Sequence, residues 1–122
     1  MKKLLMLFIV LFLFVGCEEK KNNNVAEVKK ITCDEAKELA SRPNYYLIDV
    51  RTREEYDSYH IKDAINIPLD SIKNIVNDSN ITLDSIIMVY CKSGNRSKQS
   101  ADILVGLGYK NVYDLGSITN CN

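Results

Sequence analysis

Residues 86–98 read Ile86-Ile87-Met88-Val89-Tyr90-Cys91-Lys92-Ser93-Gly94-Asn95-Arg96-Ser97-Lys98 and give the strongest indication of the fold. The first five residues form an unbroken apolar run rich in β-branched side chains, typical of a central strand in a parallel sheet covered on both faces. A polar loop follows, and apolar residues then recur at helical spacing until Gly108, a helix stop signal. The stretch predicts a buried strand, a tight loop and a helix. Cys91 is expected at the carboxyl end of the strand, where open α/β sheets place their ligands.

The loop after Cys91 has the composition of an anion cradle. Main-chain N–H groups at a turn that opens a helix attract negative charge, and Gly94 permits a backbone conformation that other residues avoid. Lys92 and Arg96 add positive charge. Because such surroundings favour a thiolate, we predict that Cys91 is a nucleophile. The alternative is a small buried cysteine followed by an ordinary turn, but a glycine, an arginine and a lysine within five residues favour the nucleophile.

The rest of the chain alternates predicted strands with predicted helices. Strands are expected from Ile31, at 45–50 and at 64–67. Two capping boxes, each a threonine followed three residues later by a glutamate, predict helices that open after Thr32 and after Thr52. A short helix is expected at 71–76. This order predicts an α/β fold with a mostly parallel central sheet.

Three ordered blocks resemble the signatures of one protein family. The loop Cys91-Lys92-Ser93-Gly94-Asn95-Arg96-Ser97 is similar to the active-site loop of single-domain rhodaneses, sulfurtransferases that carry sulfur as a cysteine persulfide. The segments from Leu47 to Tyr56 and from His60 to Pro68 resemble the family's two upstream signatures. The resemblance implies a rhodanese-like three-layer sandwich, with helices on both faces of the sheet, over residues 31–122.

The resemblance also implies a double-displacement reaction that uses neither a cofactor nor a metal. Cys91 would attack the outer sulfur of a small anionic donor such as thiosulfate, and a thiol, cyanide or a protein would then accept that sulfur. The substrate-binding residues that the resemblance implies are Lys92, Ser93, Gly94, Asn95 and Arg96. An alternative function is a persulfide carrier or sulfide-sensing module that serves a protein partner without turnover. One histidine and no close cysteine pair argue against a zinc site.

The length of the loop separates sulfur transfer from phosphate chemistry. Four residues lie between Cys91 and Arg96, whereas cysteine phosphatases and arsenate reductases of related fold have five, which form a bowl for a tetrahedral oxyanion. The shorter loop predicts a cradle for a single sulfur atom. The sequence also shows no evident general acid for a phosphatase leaving group, so a persulfide is favoured over a phosphocysteine.

Polar residues outside the loop are expected to support the site. Asp49 and Arg51 follow a strand at the same sheet edge as the loop. We interpret them as an ion-pair network in which Arg51 ties the strand to the next helix through Glu54 or Glu55, rather than as substrate ligands. His60 is the only histidine, and we expect it in a structural turn rather than as a base for the cysteine.

The N-terminus has the layout of an export signal. Lys2 and Lys3 precede an apolar run from Leu4 to Val15, which is shorter than the roughly 20 residues that span a bilayer. The run ends in a small residue before Cys17, which resembles a bacterial lipobox with Cys17 as the lipidated first residue of the mature chain.

These features predict three regions and a location. We assign residues 1–16 to a lipoprotein signal peptide and 17–30 to a lipid-anchored flexible tether. The domain at 31–122 would then be exported and held at a bacterial membrane, on the periplasmic or extracellular face. An uncleaved membrane anchor is the alternative. In either case the N-terminus predicts a membrane-attached protein.

The charge balance argues against a nucleic-acid partner. The chain has 16 basic and 16 acidic residues, and removal of 1–16 takes away only Lys2 and Lys3, which leaves 14 against 16. A near-neutral domain without a basic stripe offers no electrostatic footprint for nucleic acid.

The cysteine count leaves one candidate disulfide. If Cys17 carries lipid and Cys91 stays free, Cys33 and Cys121 remain, and an oxidising compartment would allow them to pair. The alternatives are two unrelated thiols, or a Cys121 that resolves a persulfide on Cys91.

Three residues depart from the family pattern. Tyr59 and Asp63 stand where glycine is common, and Ser117 follows Gly116 where a second glycine is usual. A bulky residue in the left-handed region costs of order 1 kcal/mol, whereas aspartate tolerates that conformation better. The expected consequence is local backbone strain at Tyr59 if that position is left-handed.

Overall fold

The computed structural model describes residues 26–121 as a five-stranded sheet with helices on both faces. The strands are β1 (Lys29–Lys30), β2 (Tyr45–Asp49), β3 (Ile65–Asn66), β4 (Ile86–Cys91) and β5 (Asn111–Ser117). The helices are α1 (Cys33–Leu39), α2 (Arg53–Ser58) and α3 (Asn95–Gly106), with 3₁₀ segments η1 (Leu69–Asn77) and η2 (Ile118–Cys121). The strand order is β1-β5-β4-β2-β3, and every neighbouring pair in this sheet is parallel. The predicted α/β fold is confirmed.

Strand β4 lies at the centre because both of its faces are apolar. Ile87, Val89 and Cys91 face a core cluster beneath α3 and η1. Met88 and Tyr90 face a second cluster beneath α1. Successive side chains of a strand point to opposite faces, so the unbroken apolar run fills both cores at once. The two clusters are the interfaces of the three-layer sandwich.

Both capping boxes form as the sequence predicts. The hydroxyl of Thr32 accepts the Glu35 N–H, and the hydroxyl of Thr52 accepts the Glu55 N–H, at 3.2 Å in each case. In each box the glutamate side chain reaches back to the N–H of its threonine. These reciprocal bonds satisfy main-chain donors that a helix leaves free at its first turn.

The first strand begins earlier than expected. The pairing of Lys29 and Lys30 with β5 corrects the assignment of these residues to the tether and the expected start at Ile31. Both lysines are exposed at the sheet edge, so apolar patterning does not mark them, and the main chain alone makes the pairing. The segment predicted as a helix at 71–76 is the 3₁₀ segment η1.

The two departures from glycine before β3 have different backbone consequences. Tyr59 has a φ of −165°, which is extended backbone that any residue adopts. Asp63 has a φ of 68°, in the left-handed region that aspartate tolerates better than most residues. The backbone strain expected at Tyr59 therefore does not arise, because Asp63 is the residue in the left-handed region.

A disulfide joins Cys33 to Cys121, with their Cα atoms 5.2 Å apart. It connects the first residue of α1 to the last residue of η2. Cys121 is therefore engaged, and the structure does not offer it as a free thiol to resolve a persulfide. Cys91 is the free cysteine of the described range.

The predicted signal peptide, Cys17 and most of the tether lie outside the described residues. Within 26–121, no helix combines the length and apolar character needed to cross a membrane.

Loss of the disulfide is expected to destabilise the domain. The bond links residues separated by 88 positions, so a Cys33→Ala/Cys121→Ala variant should lose about 4 to 5 kcal/mol of unfolding free energy as its denatured state gains chain entropy. Urea unfolding monitored by circular dichroism measures the loss. Wild-type protein under strong reductant should unfold at the midpoint of the double variant. A midpoint unchanged by both treatments would contradict the role of the bond.

Candidate active site

Cys91 ends β4, and its sulfur is enclosed by the loop that leads into α3. Gly94 is the N-cap residue of α3, and its N–H donates to the Cys91 Sγ at 3.0 Å. Cys91 is 0% exposed. The Ser97 hydroxyl donates to the Gly94 carbonyl at 3.0 Å and secures the first turn of the helix. The loop thus presents a main-chain donor to the sulfur at a helix N-terminus, an arrangement that stabilises negative charge.

Gly94 is required by its backbone angle rather than by space. Its φ is 98°, in the left-handed region. A Cβ placed there would lie 3.9 Å from the Gly116 Cα, which is an ordinary contact. The sharp turn from strand to helix therefore depends on the conformational freedom of glycine. That turn also sets the direction of the N–H that faces the sulfur.

Arg96 is held by a carboxylate from α2. Its Nη1 donates to Glu55 Oε1 at 2.6 Å and its Nη2 donates to Glu55 Oε2 at 3.1 Å. The hydrogen bonds from Arg96 lower the pKa of Glu55 to about 2, with a further contribution from the capping bonds of Thr52. Glu55 therefore caps its own helix and also fastens the loop to α2.

The partner of Arg51 corrects the sequence interpretation. Arg51 pairs with Asp49 through Nη2 and Oδ2 at 2.7 Å, and its Nε lies 3.0 and 3.1 Å from the two carboxylate oxygens. The expected pairing with Glu54 or Glu55 is wrong. The Asp49 carboxylate also accepts the Arg51 N–H at 2.9 Å, so the chain turns Arg51 back onto the carboxylate two residues before it. Asp49 is fully buried, and its hydrogen bond raises the pKa of Arg51.

This ion pair organises the neighbouring turn. Arg51 also donates to the Tyr59 carbonyl, and the Tyr90 hydroxyl accepts the Ile61 N–H at 3.1 Å. His60 belongs to the same turn. Its ring stacks on Tyr56 with centroids 3.8 Å apart, and its Nδ1 lies 2.9 Å from the Tyr56 carbonyl oxygen. These contacts give His60 a packing role in the turn.

The remaining predicted binding residues line the outer rim of the loop. Lys92, Ser93 and Asn95 are exposed. Lys92 takes part in none of the ion pairs found between residues 26 and 121. We expected Lys92 and Arg96 to hold a donor anion together, but Glu55 engages Arg96. Lys92 is therefore the loop cation whose charge is available to a ligand.

Sequence reasoning missed two residues of the site. Glu55 was recognised as a helix cap. Its bond to Arg96 joins residues 41 positions apart, so no pattern of neighbouring residues indicates it. Ser117 donates to the Lys92 carbonyl at 2.6 Å, and its position after Gly116 was noted only as a departure from a family pattern. The described side chains include no group of three or more histidine, cysteine or acidic residues that could hold a metal ion.

The fold and the site together define an α/β protein whose central strand ends at one free cysteine. The central strand places the sulfur of that cysteine beside the Gly94 N–H at the N-terminus of α3. A family model described as a rhodanese-like domain matches residues 32–120. The chain belongs to this family, as the resemblance of its three sequence blocks implied.

Named relatives share this domain. Thiosulfate sulfurtransferase PspE of Escherichia coli is 37% identical over 71 residues, which cover 58% of this chain and 68% of that protein. Adenylyltransferase and sulfurtransferase uba4 of Ogataea parapolymorpha is 29% identical over 106 residues. That match covers 86% of this chain and 26% of the relative, so the chain spans about a quarter of its length. A solved structure described as rhodanese with anions from E. coli aligns with a TM-score of 0.59 and 34% identity, over 62% of this chain and 89% of that one.

The Glu55–Arg96 pair should contribute a pH-dependent part of the stability. The pKa of Glu55 falls from 4.5 to about 2 on folding, so its contribution is complete above the unfolded pKa and is lost as the pH falls towards 2. Glu55→Gln is expected to cost about 1 to 2 kcal/mol at pH 7, given partial solvent screening. Urea unfolding at pH 7, 5 and 3 measures the difference.

The adjacent Glu54 provides the matched control. Its side chain is exposed and forms none of the ion pairs of the described chain. Glu54→Gln should retain both wild-type stability at pH 7 and the wild-type loss at low pH. Equal unfolding free energies for the two variants at pH 7 would contradict the role of Glu55.

Proposed function

We propose that the chain is a rhodanese-type sulfurtransferase that moves a sulfane sulfur from thiosulfate or a similar donor to a thiophilic acceptor. The observation that carries the proposal is the Gly94 N–H bond to the Cys91 sulfur at 3.0 Å inside a loop with four residues between cysteine and arginine. The relative named thiosulfate sulfurtransferase supports the choice of donor. Membership of the family supports sulfur transfer in general, whereas thiosulfate as the donor and the classes of acceptor belong to this proposal.

The reaction proceeds as two displacements at sulfur. The Cys91 thiolate attacks the outer sulfur of thiosulfate, a new sulfur–sulfur bond forms, and sulfite leaves with the electron pair of the broken bond. Cyanide or a thiol then attacks the outer sulfur of the persulfide, and the Cys91 thiolate is regenerated as the leaving group. With cyanide the product is thiocyanate. Electrons balance within each step, so no separate oxidant or reductant is consumed.

Different parts of the loop have different tasks in this reaction. Main-chain N–H groups stabilise the thiolate and the terminal sulfur of the persulfide. Lys92 supplies positive charge for the anionic end of the donor. Arg96 keeps the loop in place through Glu55. The contacts of Arg96 also argue against a phosphatase. Arginine commonly binds phosphate through two nitrogens, and both terminal nitrogens of Arg96 already donate to the Glu55 carboxylate.

A second function, a persulfide carrier for a dedicated protein, is favoured by one observation. Cys91 is completely buried, which restricts small-molecule access to its sulfur. A partner that opens the loop would then receive the sulfur in a single transfer. The two functions share the persulfide and differ in turnover.

We also propose that the domain works outside the cytoplasm, attached to a bacterial membrane through lipid on Cys17. The disulfide between Cys33 and Cys121 supports this location, because structural disulfides form and persist in oxidising compartments. Detection of a lipid-modified Cys17 peptide by mass spectrometry in a membrane fraction tests it. An unmodified N-terminus in the cytosolic fraction would overturn it.

The persulfide itself is the first prediction of this function. Full-length protein in detergent, mixed with thiosulfate, should gain one sulfur atom by intact mass and form thiocyanate over many turnovers on addition of cyanide. Cys91→Ser should lose the added sulfur and at least about 1,000-fold of the turnover, since the nucleophile is removed. Persulfide formation without turnover would favour the carrier. An unmodified Cys91 in both thiosulfate and polysulfide would refute both functions.

Lys92 should affect donor binding more than chemistry. Lys92→Ala is expected to raise the KM for thiosulfate about 3- to 10-fold with little change in kcat, because an exposed cation attracts the donor without touching the transferred sulfur. Steady-state kinetics at low ionic strength measure this split. Lys98→Ala is the matched control, since Lys98 is an exposed lysine of α3 paired with Asp102. An equal rise in KM for both variants would assign the effect to net charge.

A further inference from the structure

Ser117 connects the last strand to the loop around Cys91. Ser117 and Cys91 are register partners of β5 and β4. The Ser117 hydroxyl donates to the Lys92 carbonyl at 2.6 Å. This hydrogen bond comes from another element and reaches the Lys92–Ser93 peptide, the second peptide after the cysteine. Any change in the Ser117 side chain therefore acts on the loop backbone.

The hydroxyl of Ser117 has a fixed orientation. It accepts the Thr119 N–H at 3.2 Å and lies 2.7 Å from the Thr119 hydroxyl. With these acceptor positions occupied, its proton is directed to the Lys92 carbonyl. Asn120 donates to the Leu115 carbonyl at 2.8 Å and closes the turn that holds Thr119. The serine is thus part of an ordered turn.

The geometry of the peptide bond extends this orientation to the next residue. A trans peptide is planar, and its C=O and N–H point in opposite directions. The Lys92 carbonyl is held towards Ser117 on β5, so the Ser93 N–H is directed away from β5. Gly94 follows with its N–H on the sulfur at 3.0 Å. Successive N–H groups held in this way form the anion-binding concavity of a turn.

We propose that Ser117 is a positioning residue for sulfur transfer: by holding the Lys92–Ser93 peptide, it directs the Ser93 N–H into the cradle that receives the terminal sulfur. The proposal rests on the proposed function and adds a residue outside the loop to it. Ser117 contacts no substrate and acts through the main chain of Lys92. Its removal should therefore weaken the cradle while the donor cation and the nucleophile stay in place.

The test replaces the hydroxyl and restores it. In the full-length protein, Ser117→Ala should lower kcat for thiosulfate and cyanide about 3- to 10-fold, the equivalent of one hydrogen bond, with little change in the KM for thiosulfate. Ser117→Thr should keep at least half of the wild-type kcat, because threonine retains the donor and suits a strand. Ser41→Ala is the matched control, since Ser41 also donates to a main-chain carbonyl, that of Glu38 at the end of α1.

A second readout is independent of sulfur transfer. Alkylation of Cys91 by iodoacetamide at pH 7 reports on the thiolate that the loop N–H groups stabilise, and Ser117→Ala should slow it about 3-fold. If the wild type forms no persulfide, the proposed function fails while this arm still shows whether Ser117 organises the cradle. Wild-type alkylation and kcat in Ser117→Ala would overturn the proposal. Equal impairment of the alanine and threonine variants would also overturn it, because the hydroxyl would then not be the cause.

Discussion

The hydrogen bond from the Gly94 N–H to the Cys91 sulfur is the contact on which the proposed sulfur transfer depends. It needs the strand to end at the cysteine and the helix to begin four residues later, with the left-handed Gly94 as the N-cap between them. Strand β4 can end at Cys91 because both of its faces are buried, and their packing fixes where the strand lies in the sheet. The fold therefore serves to hold one main-chain donor at a set distance from one sulfur.

Two further contacts hold the same loop from opposite sides of β4. Glu55, on the helix after β2, binds Arg96 in the first turn of α3, just beyond the loop, and Ser117, on β5, binds the Lys92 carbonyl at the start of the loop. The first contact neutralises the guanidinium, so the region around the sulfur relies on main-chain dipoles more than on free charge. Dipoles fixed by covalent geometry suit a small, polarisable terminal sulfur, whereas a phosphate dianion needs a paired cation.

The sequence predicts features that depend on neighbours along the chain and misses those that depend on packing. The capping boxes join residues three apart, and the buried strand is a contiguous run, so both were predictable. The partner of Arg51 was mistaken because charge alone does not distinguish Asp49 from Glu55, whereas the turn that brings the Arg51 N–H to the Asp49 carboxylate does. The second role of Glu55 and the role of Ser117 in the site were missed because they join elements 41 and 25 positions apart.

The disulfide between Cys33 and Cys121 lies close to the turn that contacts the loop around Cys91. It fixes Cys121 at the end of η2, the same short segment that contains Thr119, which orients the Ser117 hydroxyl. A turn closed by a few exposed hydrogen bonds would fray easily, because each such bond contributes little in water. A covalent bond two residues beyond Thr119 limits that fraying without adding apolar surface. The cross-link thus restrains the turn that contacts the loop around Cys91.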